Sequence, residues 1–158
     1  MLAYVAVVGA GKASAEEDRA AEAVGRGLAA GGAVVVCGGL GGVMEAACRG
    51  AKAAGGTTVG ILPGSRRADA NPHVDVAVAT GLGEMRNGLI VRAVDAVVAV
   101  GGEFGTLSEI ALALKSGKPV IALGGWELVR GGQPVDATMP ADSPEDAVTQ
   151  ALAACRAR

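Results

Sequence analysis

The sequence is poor in aromatic residues and in histidine, and it has no large excess of acidic or basic residues. Its aromatic residues are Tyr4, Phe104 and Trp126, and its one histidine is His73, between polar neighbours that indicate a surface position. The formal net charge is -2, which gives no long-range attraction to nucleic acid or to an anionic membrane. We therefore expect neither a nucleic acid polymer nor a membrane as the partner of this chain.

Cysteine and long apolar runs are also scarce. Cys37, Cys48 and Cys155 are an odd number without metal-ligand spacing, so they predict reduced structural thiols rather than a disulfide framework or a zinc site. The uncharged stretches are interrupted by glycine and proline and are shorter than the roughly 20 apolar residues of a membrane span. Residues 1–9 lack the basic segment of a secretory signal. These features together predict a cytoplasmic protein.

Small residues are abundant instead. The 158 residues include 33 alanines and 26 glycines, and glycine is more than twice as frequent as the usual share of about 7%. A coding bias would scatter the glycines, whereas sharp turns or close contact with a ligand would concentrate them at particular positions. The length is that of one compact domain, so residues 1–158 are predicted to form a single domain.

Apolar runs and helical patterns alternate along the chain. Strands are predicted over 3–8, 33–37, 57–62, 74–79, 95–100 and 118–123, and helices over 14–30, 43–54, 82–94, 107–115 and from 144 onward. Ser14 with Glu17 forms a capping box, and Ser143 followed by Pro144 is a typical helix start. Residues 65–72 and 124–139 are predicted to be irregular. This alternation predicts an α/β protein with a Rossmann-like, doubly wound, mainly parallel sheet covered by helices on both faces.

The glycines cluster where these strands end. They follow the first strand (Gly9 and Gly11), the second (residues 38–42) and the fifth (residues 101–105). Ligands of open parallel sheets bind at the carboxyl ends of the strands, so this distribution favours a ligand site. The first cluster matches neither the dinucleotide fingerprint nor a Walker A loop, because Ser14 and Ala13 occupy positions that those motifs reserve for other residues.

The strongest signal is the segment 101–109. A buried strand leads into glycines and then into a helix whose first N–H groups attract anions, which is typical of a phosphate site. Thr106 is the predicted N-cap. Glu109, three residues later, has two equal readings: it bonds back to the helix start as part of a capping box, or it faces a ligand and contacts a ribose hydroxyl.

Two segments resemble motifs of a known family. Residues 101–109, GGEFGTLSE, preceded by Met85 and Arg86, resemble the PGGxGTxxE and MxxRK-type motifs of the LOG family, long mislabelled lysine decarboxylases. Residues 38–44, GGLGGVM, resemble the GGGxxGLM segment of that family. The similarity covers most of residues 3–125.

The chain departs from these motifs at three positions. Gly101 replaces a proline, Glu103 replaces a glycine, and Asn87 replaces the lysine after the motif arginine. A carboxylate at Glu103 would repel a phosphate unless it turns away or pairs with a cation. The departures indicate a divergent branch of the family.

The resemblance implies a Rossmann-like protein, usually dimeric, that acts on a nucleoside 5′-monophosphate. The family includes phosphoribohydrolases that release the free base and ribose 5-phosphate, and its relatives include a molybdenum-cofactor carrier. By position in the motifs, Arg86 and Glu109 are the implied catalytic residues. The implied binding residues are Gly39, Gly41, Gly42, Met85, Gly101, Gly102, Gly105 and Thr106. We expect no metal and no resident cofactor.

An alternative function stays open: a carrier that binds a nucleotide-like or pterin-type molecule without turning it over. The three departures favour it. Pyridoxal phosphate chemistry is not expected, because neither Lys115 nor Lys118 has the setting of a Schiff-base lysine.

Further sequence features concern the periphery of the predicted site. Arg66 and Arg67 are expected to be solvated, and Glu84 to lie at an exposed helix start. Trp126 is expected either to pack, to line a dimer interface or to stack on a base. The helices over 82–94 and 107–115, poor in large side chains, are expected to pack across the two-fold axis of a homodimer, or within a higher homo-oligomer.

Overall fold

The fold is a three-layer α/β sandwich, seen in a computed structural model that describes residues 1–157. The strands are β1 (Tyr4–Gly9), β2 (Val34–Cys37), β3 (Thr58–Leu62), β4 (Val76–Ala79), β5 (Ala96–Val100), β6 (Val120–Leu123), β7 (Val129–Arg130), β8 (Gln133–Pro134) and β9 (Met139–Pro140). Seven of them form one parallel sheet in the order β4-β3-β2-β1-β5-β6-β9. The helices are α1 (Ala15–Ala30), α2 (Val43–Ala53), α3 (Asn87–Arg92), α4 (Phe104–Lys115) and α5 (Pro144–Arg156).

The helices cover both faces of the sheet, which confirms the predicted doubly wound fold. One face packs against α1, α2 and α5, and the other against α3 and α4. The central strands β2 and β5 are buried along their whole length. This burial explains their continuous apolar sequences, since a strand covered on both faces needs no polar side.

Glycines allow α1 and α2 to lie unusually close together. A Cβ atom on Gly25 of α1 would collide with the carbonyl oxygen of Ala47, and one on Gly50 of α2 would collide with that of Glu22. The side chain of Arg49 then joins the two helices through ion pairs with Asp18 and Glu22, at 2.7 and 2.9 Å. The small residues therefore act as a packing surface between these helices.

The predicted helix starts at Ser14 and Ser143 are confirmed. Ser14 Oγ accepts a hydrogen bond from the Glu17 backbone N–H at 3.1 Å, and the Glu17 carboxylate accepts one from the Ser14 N–H at 2.8 Å. Ser143 Oγ accepts from the Asp146 N–H at 3.0 Å, with Pro144 in the first turn.

The single helix predicted over 82–94 is wrong. A 3-10 turn over Gly83–Arg86 precedes the short helix α3, because Gly81 and Gly83 adopt φ values of +65° and +58° that an α-helix does not contain. Ile90 of α3 is buried in the core, whereas Met85 and Leu89 are exposed.

The segment 124–139 is more regular than predicted. The two-residue strands β7 and β8 pair antiparallel around Gly131 and Gly132, which have positive φ, and β9 extends the main sheet beside β6. Strands this short leave no periodic signal in a sequence. None of the helices within residues 1–157 has the length and apolar character needed to cross a membrane.

Candidate functional site

A cavity of about 440 Å³ opens at the carboxyl ends of β1, β2 and β5. It lies beside the switch point of the sheet, where β1 has β2 on one side and β5 on the other, the position at which open parallel sheets bind ligands. The lining consists of Gly9, Ala10, Gly11, Leu40, Met44, Pro63, Glu84, Arg86, Asn87, Glu103, Phe104, Gly105, Thr106, Ser108 and Glu109.

The helix α4 begins two residues before the predicted N-cap. Its N-cap is Glu103, which forms a reciprocal capping box with Thr106, and the Thr106 hydroxyl accepts the Glu103 N–H at 3.3 Å. The predicted N-cap at Thr106 is therefore wrong, and so is the capping role of Glu109. The two residues of the capping box, three positions apart, are Glu103 and Thr106, because Glu103 has the extended backbone of an N-cap. Glu109 lines the cavity instead.

Arg86 and Glu109 bring opposite charges into this cavity, and both side chains are buried. Burial raises the pKa of Glu109 to about 7, while the nearby Arg86 guanidinium acts in the opposite direction. Burial lowers the pKa of Arg86, and Glu109 opposes that change. None of the ion pairs within residues 1–157 involves Arg86 or Glu109, so the two groups line the same cavity without forming a salt bridge.

The guanidinium of Arg86 is only partly satisfied. Its two terminal nitrogens donate to the side-chain oxygen of Asn87 and to the backbone oxygen of Gly38, the latter at 3.5 Å, whereas the buried Nε has no hydrogen-bond partner. A buried N–H without an acceptor is costly in a folded protein. Arg86 is therefore suited to a ligand that supplies acceptor oxygens.

Asn87 connects Arg86 to the start of α4. Its side-chain oxygen accepts from Arg86, and its amide nitrogen donates to Ser108 Oγ at 3.0 Å. The Ser108 hydroxyl in turn donates to the Gly105 carbonyl at 2.6 Å. The sequence pattern singles out Asn87 only as a departure from a motif and does not indicate a role for Ser108. A polar residue next to the motif arginine was the available signal.

The lining is acidic rather than basic. Glu84, Glu103 and Glu109 face the cavity with Arg86 as the one cation among its lining residues. Glu103 also lies at the positive end of the α4 dipole, where a bound anion would otherwise be stabilised. An anionic ligand therefore has to rely on backbone N–H groups and on Arg86.

The predicted binding residues divide into two groups. Gly105 and Thr106 line the cavity together with Arg86 and Glu109, while the rest lie beside it or outside it. Met85 is 81% exposed. Gly101 lines a neighbouring cleft between the starts of α1 and α5, and Gly102 lies against the Thr106 side chain.

The turn containing Gly39, Gly41 and Gly42 lies next to the cavity, against the residues that follow β1. Gly39 and Gly42 have φ values of +79° and +65°, and a Cβ on Gly42 would collide with the Ala10 carbonyl oxygen. Leu40, within this turn, and Met44, in the helix that follows it, line the cavity. The roles of all these glycines in ligand binding remain predictions.

An aromatic pair lies at the start of α4. Phe104 lines the cavity, and its ring contacts that of Trp126 with centroids 5.5 Å apart and an interplanar angle of 42°. The Trp126 indole N–H donates to the Glu103 carbonyl at 3.1 Å. The tryptophan is thus held against the first turn of α4.

Other parts of the described surface are weaker candidates. Three larger depressions, of about 630 to 760 Å³, contain none of the buried charged or polar side chains found within residues 1–157. Over the same residues, no group of three or more potential ligands is arranged to hold a metal ion. Arg66 is exposed and pairs with Asp69 at 3.1 Å, and His73 lies outside the cavity lining.

Comparison with known proteins gives a consistent result. The model of the SLOG cluster4 family matches residues 2–151. A protein of Archaeoglobus fulgidus is 43% identical over 152 residues, covering 96% of this chain and 95% of that protein.

Solved structures of similar proteins point the same way. The molybdenum cofactor binding protein of Rippkaea orientalis is 36% identical, with a TM-score of 0.84 and coverage of 95% of both chains. The molybdenum cofactor carrier protein of Chlamydomonas reinhardtii is 30% identical, with a TM-score of 0.82 and coverage of 100% of both chains. These matches confirm the predicted divergent branch, similar to LOG proteins and to molybdenum-cofactor carriers.

Proposed function

The chain belongs to the SLOG cluster4 family, and from that membership and the charged cavity we propose that it binds a phosphorylated heterocyclic molecule and holds it intact. The ligand class is a nucleotide or a phosphorylated pterin, such as the molybdenum cofactor that similar proteins bind. The observation that carries this proposal is the buried Arg86 Nε, which lacks a partner in a cavity at the ligand-binding edge of the sheet.

In this proposal the start of α4 and Arg86 bind the phosphate. The first N–H groups of a helix have no acceptor within the helix, which leaves those of Phe104 and Gly105 available, and Arg86 adds a fixed positive charge. Leu40, Met44 and Pro63 supply apolar surface for the rest of the molecule. Such a mixture of apolar walls and a few polar groups is typical of small-molecule sites.

The carrier function is tested by what the protein retains. Purified protein is dialysed, denatured and analysed for released small molecules by mass spectrometry, and for molybdenum and phosphate by elemental analysis. We expect an intact phosphorylated heterocycle, or tight binding of an added one that is recovered unchanged. Failure to bind inorganic phosphate, nucleoside monophosphates and phosphorylated pterins at millimolar concentration would contradict the proposal.

A second candidate is hydrolysis of a nucleoside 5′-monophosphate, and the pKa of Glu109 favours it. With a pKa of about 7, this carboxyl group exchanges protons near neutral pH, which suits a general acid or base. Water would add to C1′ of the ribose as the bond to the base breaks, giving the protonated free base and ribose 5-phosphate. The ionised carboxylate would stabilise positive charge developing on the sugar.

Base release distinguishes the two candidates. The protein is incubated with a panel of nucleoside monophosphates, and released base is measured by chromatography. Hydrolysis that Glu109→Ala abolishes while binding persists supports the enzyme. Binding without base release from any member of the panel supports the carrier.

A homodimer completes the proposal. Contrary to the expectation that these helices present few large side chains, four large apolar side chains are exposed on and beside α3 and α4, and we name them the apolar face: Leu82, Met85, Leu89 and Leu112. A second copy of the chain is the occupant that we propose for this face, since isologous contacts are the commonest route to dimers.

A cytoplasmic location is also part of the proposal. The sulfur atoms of Cys37 and Cys48 lie 3.4 Å apart in the core and are not joined, an arrangement that suits a reducing compartment. Cell fractionation with thiol labelling tests it. We expect the soluble fraction of the cytoplasm to contain the chain with both thiols reduced.

A further inference from the structure

Two of the three aromatic residues of this chain are in contact beside the cavity. Phe104, the first residue of α4, is 76% exposed, although large apolar side chains are normally buried. Its ring contacts Trp126, which is itself anchored to the carbonyl group of Glu103. An exposed aromatic ring that is held by a neighbouring ring can stack against the flat face of a ligand.

The two rings face different spaces. Phe104 belongs to the cavity lining, whereas Trp126 lines the separate depression between β6 and the β7–β8 hairpin. Trp126 therefore supports Phe104 from the side away from the cavity. The hydrogen bond from the indole to the carbonyl group of Glu103, the residue before Phe104, holds the Trp126 ring beside the Phe104 ring.

We propose that Phe104 is the stacking platform for the planar heterocycle of the ligand. This inference rests on the proposed function, because it assigns the ring of the same phosphorylated molecule. Stacking on an aromatic side chain tolerates any flat base, since every base has a π-face. Phe104 thus selects phosphorylated molecules that carry a planar ring over bare sugar phosphates.

The position of Phe104 limits the shape of the ligand. The N–H groups proposed for the phosphate belong to Phe104 and to Gly105, in the first turn of α4. Ring and phosphate must therefore lie within the reach of one helical turn of protein. A nucleoside monophosphate and a pterin with a phosphorylated side chain both meet this condition.

Calorimetric titration with matched ligands tests the platform. The probes are AMP, a pterin with a phosphorylated side chain, and ribose 5-phosphate, which lacks the ring. We expect one or both ring-bearing probes to bind wild-type protein more tightly than ribose 5-phosphate, and the preferred ring identifies the natural class. Fluorescence of Trp126, the only tryptophan, should change with the ring-bearing probes.

Three variants complete the experiment. Phe104→Leu should weaken binding of the preferred ring-bearing probe by about 5- to 100-fold, the usual loss of one stacked base, while ribose 5-phosphate binding changes less than twofold. Phe104→Tyr should restore the preference. Lys115→Ala, exposed on the same helix and outside both the cavity lining and the apolar face, should leave it unchanged.

Each other outcome has a definite meaning. Equal binding of all three probes, or equal losses in Phe104→Leu, would overturn the platform while the phosphate site stands. If Phe104→Leu dissociates the dimer without altering the preference, Phe104 belongs to the subunit interface and the platform is also overturned. Absence of binding by every probe overturns the proposed function itself.

Discussion

At the scale of single residues, the protonation of Glu109 decides what the cavity can do. With a pKa raised to about 7 by burial, the carboxyl group is partly protonated at neutral pH and can both donate and accept hydrogen bonds. Arg86 opposes the shift through its positive charge, so a ligand that neutralises Arg86 would raise the pKa of Glu109 further. Binding and protonation of this residue are therefore linked.

The raised pKa of Glu109 makes a prediction about stability. In the unfolded chain this group loses its proton near its ordinary value of 4.5, whereas in the native protein it keeps the proton up to about 7. The native state thus binds more protons in this window, and its stability falls as the pH rises. Glu109→Gln removes this loss.

Urea denaturation at pH 5 and pH 8 measures the effect. The free energy of unfolding of Glu109→Gln, relative to wild type, should increase by up to about 3 kcal/mol between these two pH values. The difference between pH values cancels any constant cost of the substitution. A relative stability that does not change with pH would show that Glu109 titrates normally.

Glu103 makes a prediction about anion binding. Its carboxylate lies at the start of α4, where it competes with a bound phosphate. Glu103→Gln keeps a side chain that can cap the helix but removes the charge, so inorganic phosphate should bind about 2- to 5-fold more tightly. Glu127→Gln, the same change at an exposed residue outside the cavity lining, is the control in the same calorimetric titration. Unchanged affinity in Glu103→Gln would contradict phosphate binding at this helix.

The sequence motifs predicted that Arg86 and Glu109 belong to one site, and both residues line the same cavity. This prediction was possible because a position within a motif depends only on the order of residues in the chain. Sequence reasoning failed for the cap of α4, since the spacing Thr106 to Glu109 and the spacing Glu103 to Thr106 both satisfy the capping rule. Only the backbone conformation distinguishes them. The link from Asn87 to Ser108 depends on how α3 packs on α4, which no local pattern encodes.

At the scale of elements, the contact of α1 with α2 explains part of the glycine content. A glycine inside a helix costs up to about 1 kcal/mol relative to alanine, and Gly25 and Gly50 each occupy such a position. The close approach of the two backbones offsets that cost. Coding bias alone does not account for these two glycines.

Two glycine-to-alanine substitutions distinguish the effect of packing between helices from the effect of helix propensity. Gly25→Ala should destabilise the protein by about 1–3 kcal/mol, because the new methyl group would collide with the Ala47 backbone. Gly88→Ala, in α3 and with open space around the added methyl group, should be stabilising by about 0.5–1 kcal/mol. Chemical denaturation measures both. Equal effects of the two substitutions would contradict the packing role of Gly25.

Long periodic elements were predictable and short ones were not. The buried strands β2 and β5 and the capped helices α1 and α5 match the predictions because their signals span many residues. The segment 82–94 was misread because its apolar spacing is helical, while Gly81 and Gly83 set a backbone that spacing does not reveal. The two-residue strands β7, β8 and β9 depend on their neighbours rather than on their own sequence.

At the scale of the whole molecule, the apolar face predicts an oligomer. Exposed side chains of Met85 and Leu112 lie on neighbouring elements, and burying them against a second copy would remove apolar surface from water. Sedimentation should therefore give a dimer at micromolar concentration, and Met85→Lys should shift it toward monomer. Val129→Lys, an exposed apolar position in β7, should not. A wild-type monomer, or equal behaviour of both variants, would contradict the interface.

The order of the strands explains why glycines far apart in the chain form one site. The order β3-β2-β1-β5-β6 places the loops after β1, β2 and β5 at one edge, so the clusters around Gly9, Gly39 and Gly105 converge. The alternating pattern predicted this edge. Glu103 and Trp126 were expected near this site. The sequence did not predict that Phe104 lines the cavity with Trp126 packed against it, because this arrangement follows from the start of α4 and from the segment after β6.

The central claim is that the cavity containing Arg86 binds a phosphorylated heterocycle. Arg86→Gln and Arg92→Gln make the same chemical change on the same stretch of chain, but Arg86 is buried in the cavity and Arg92 is exposed. The decisive measurement is calorimetric titration of both variants with AMP and a phosphorylated pterin, after circular dichroism has established that each is folded. Arg86→Gln should weaken binding by about 10-fold or more, as expected for a lost charged hydrogen bond, and Arg92→Gln by less than twofold. Equal affinities in wild type and Arg86→Gln would contradict the claim.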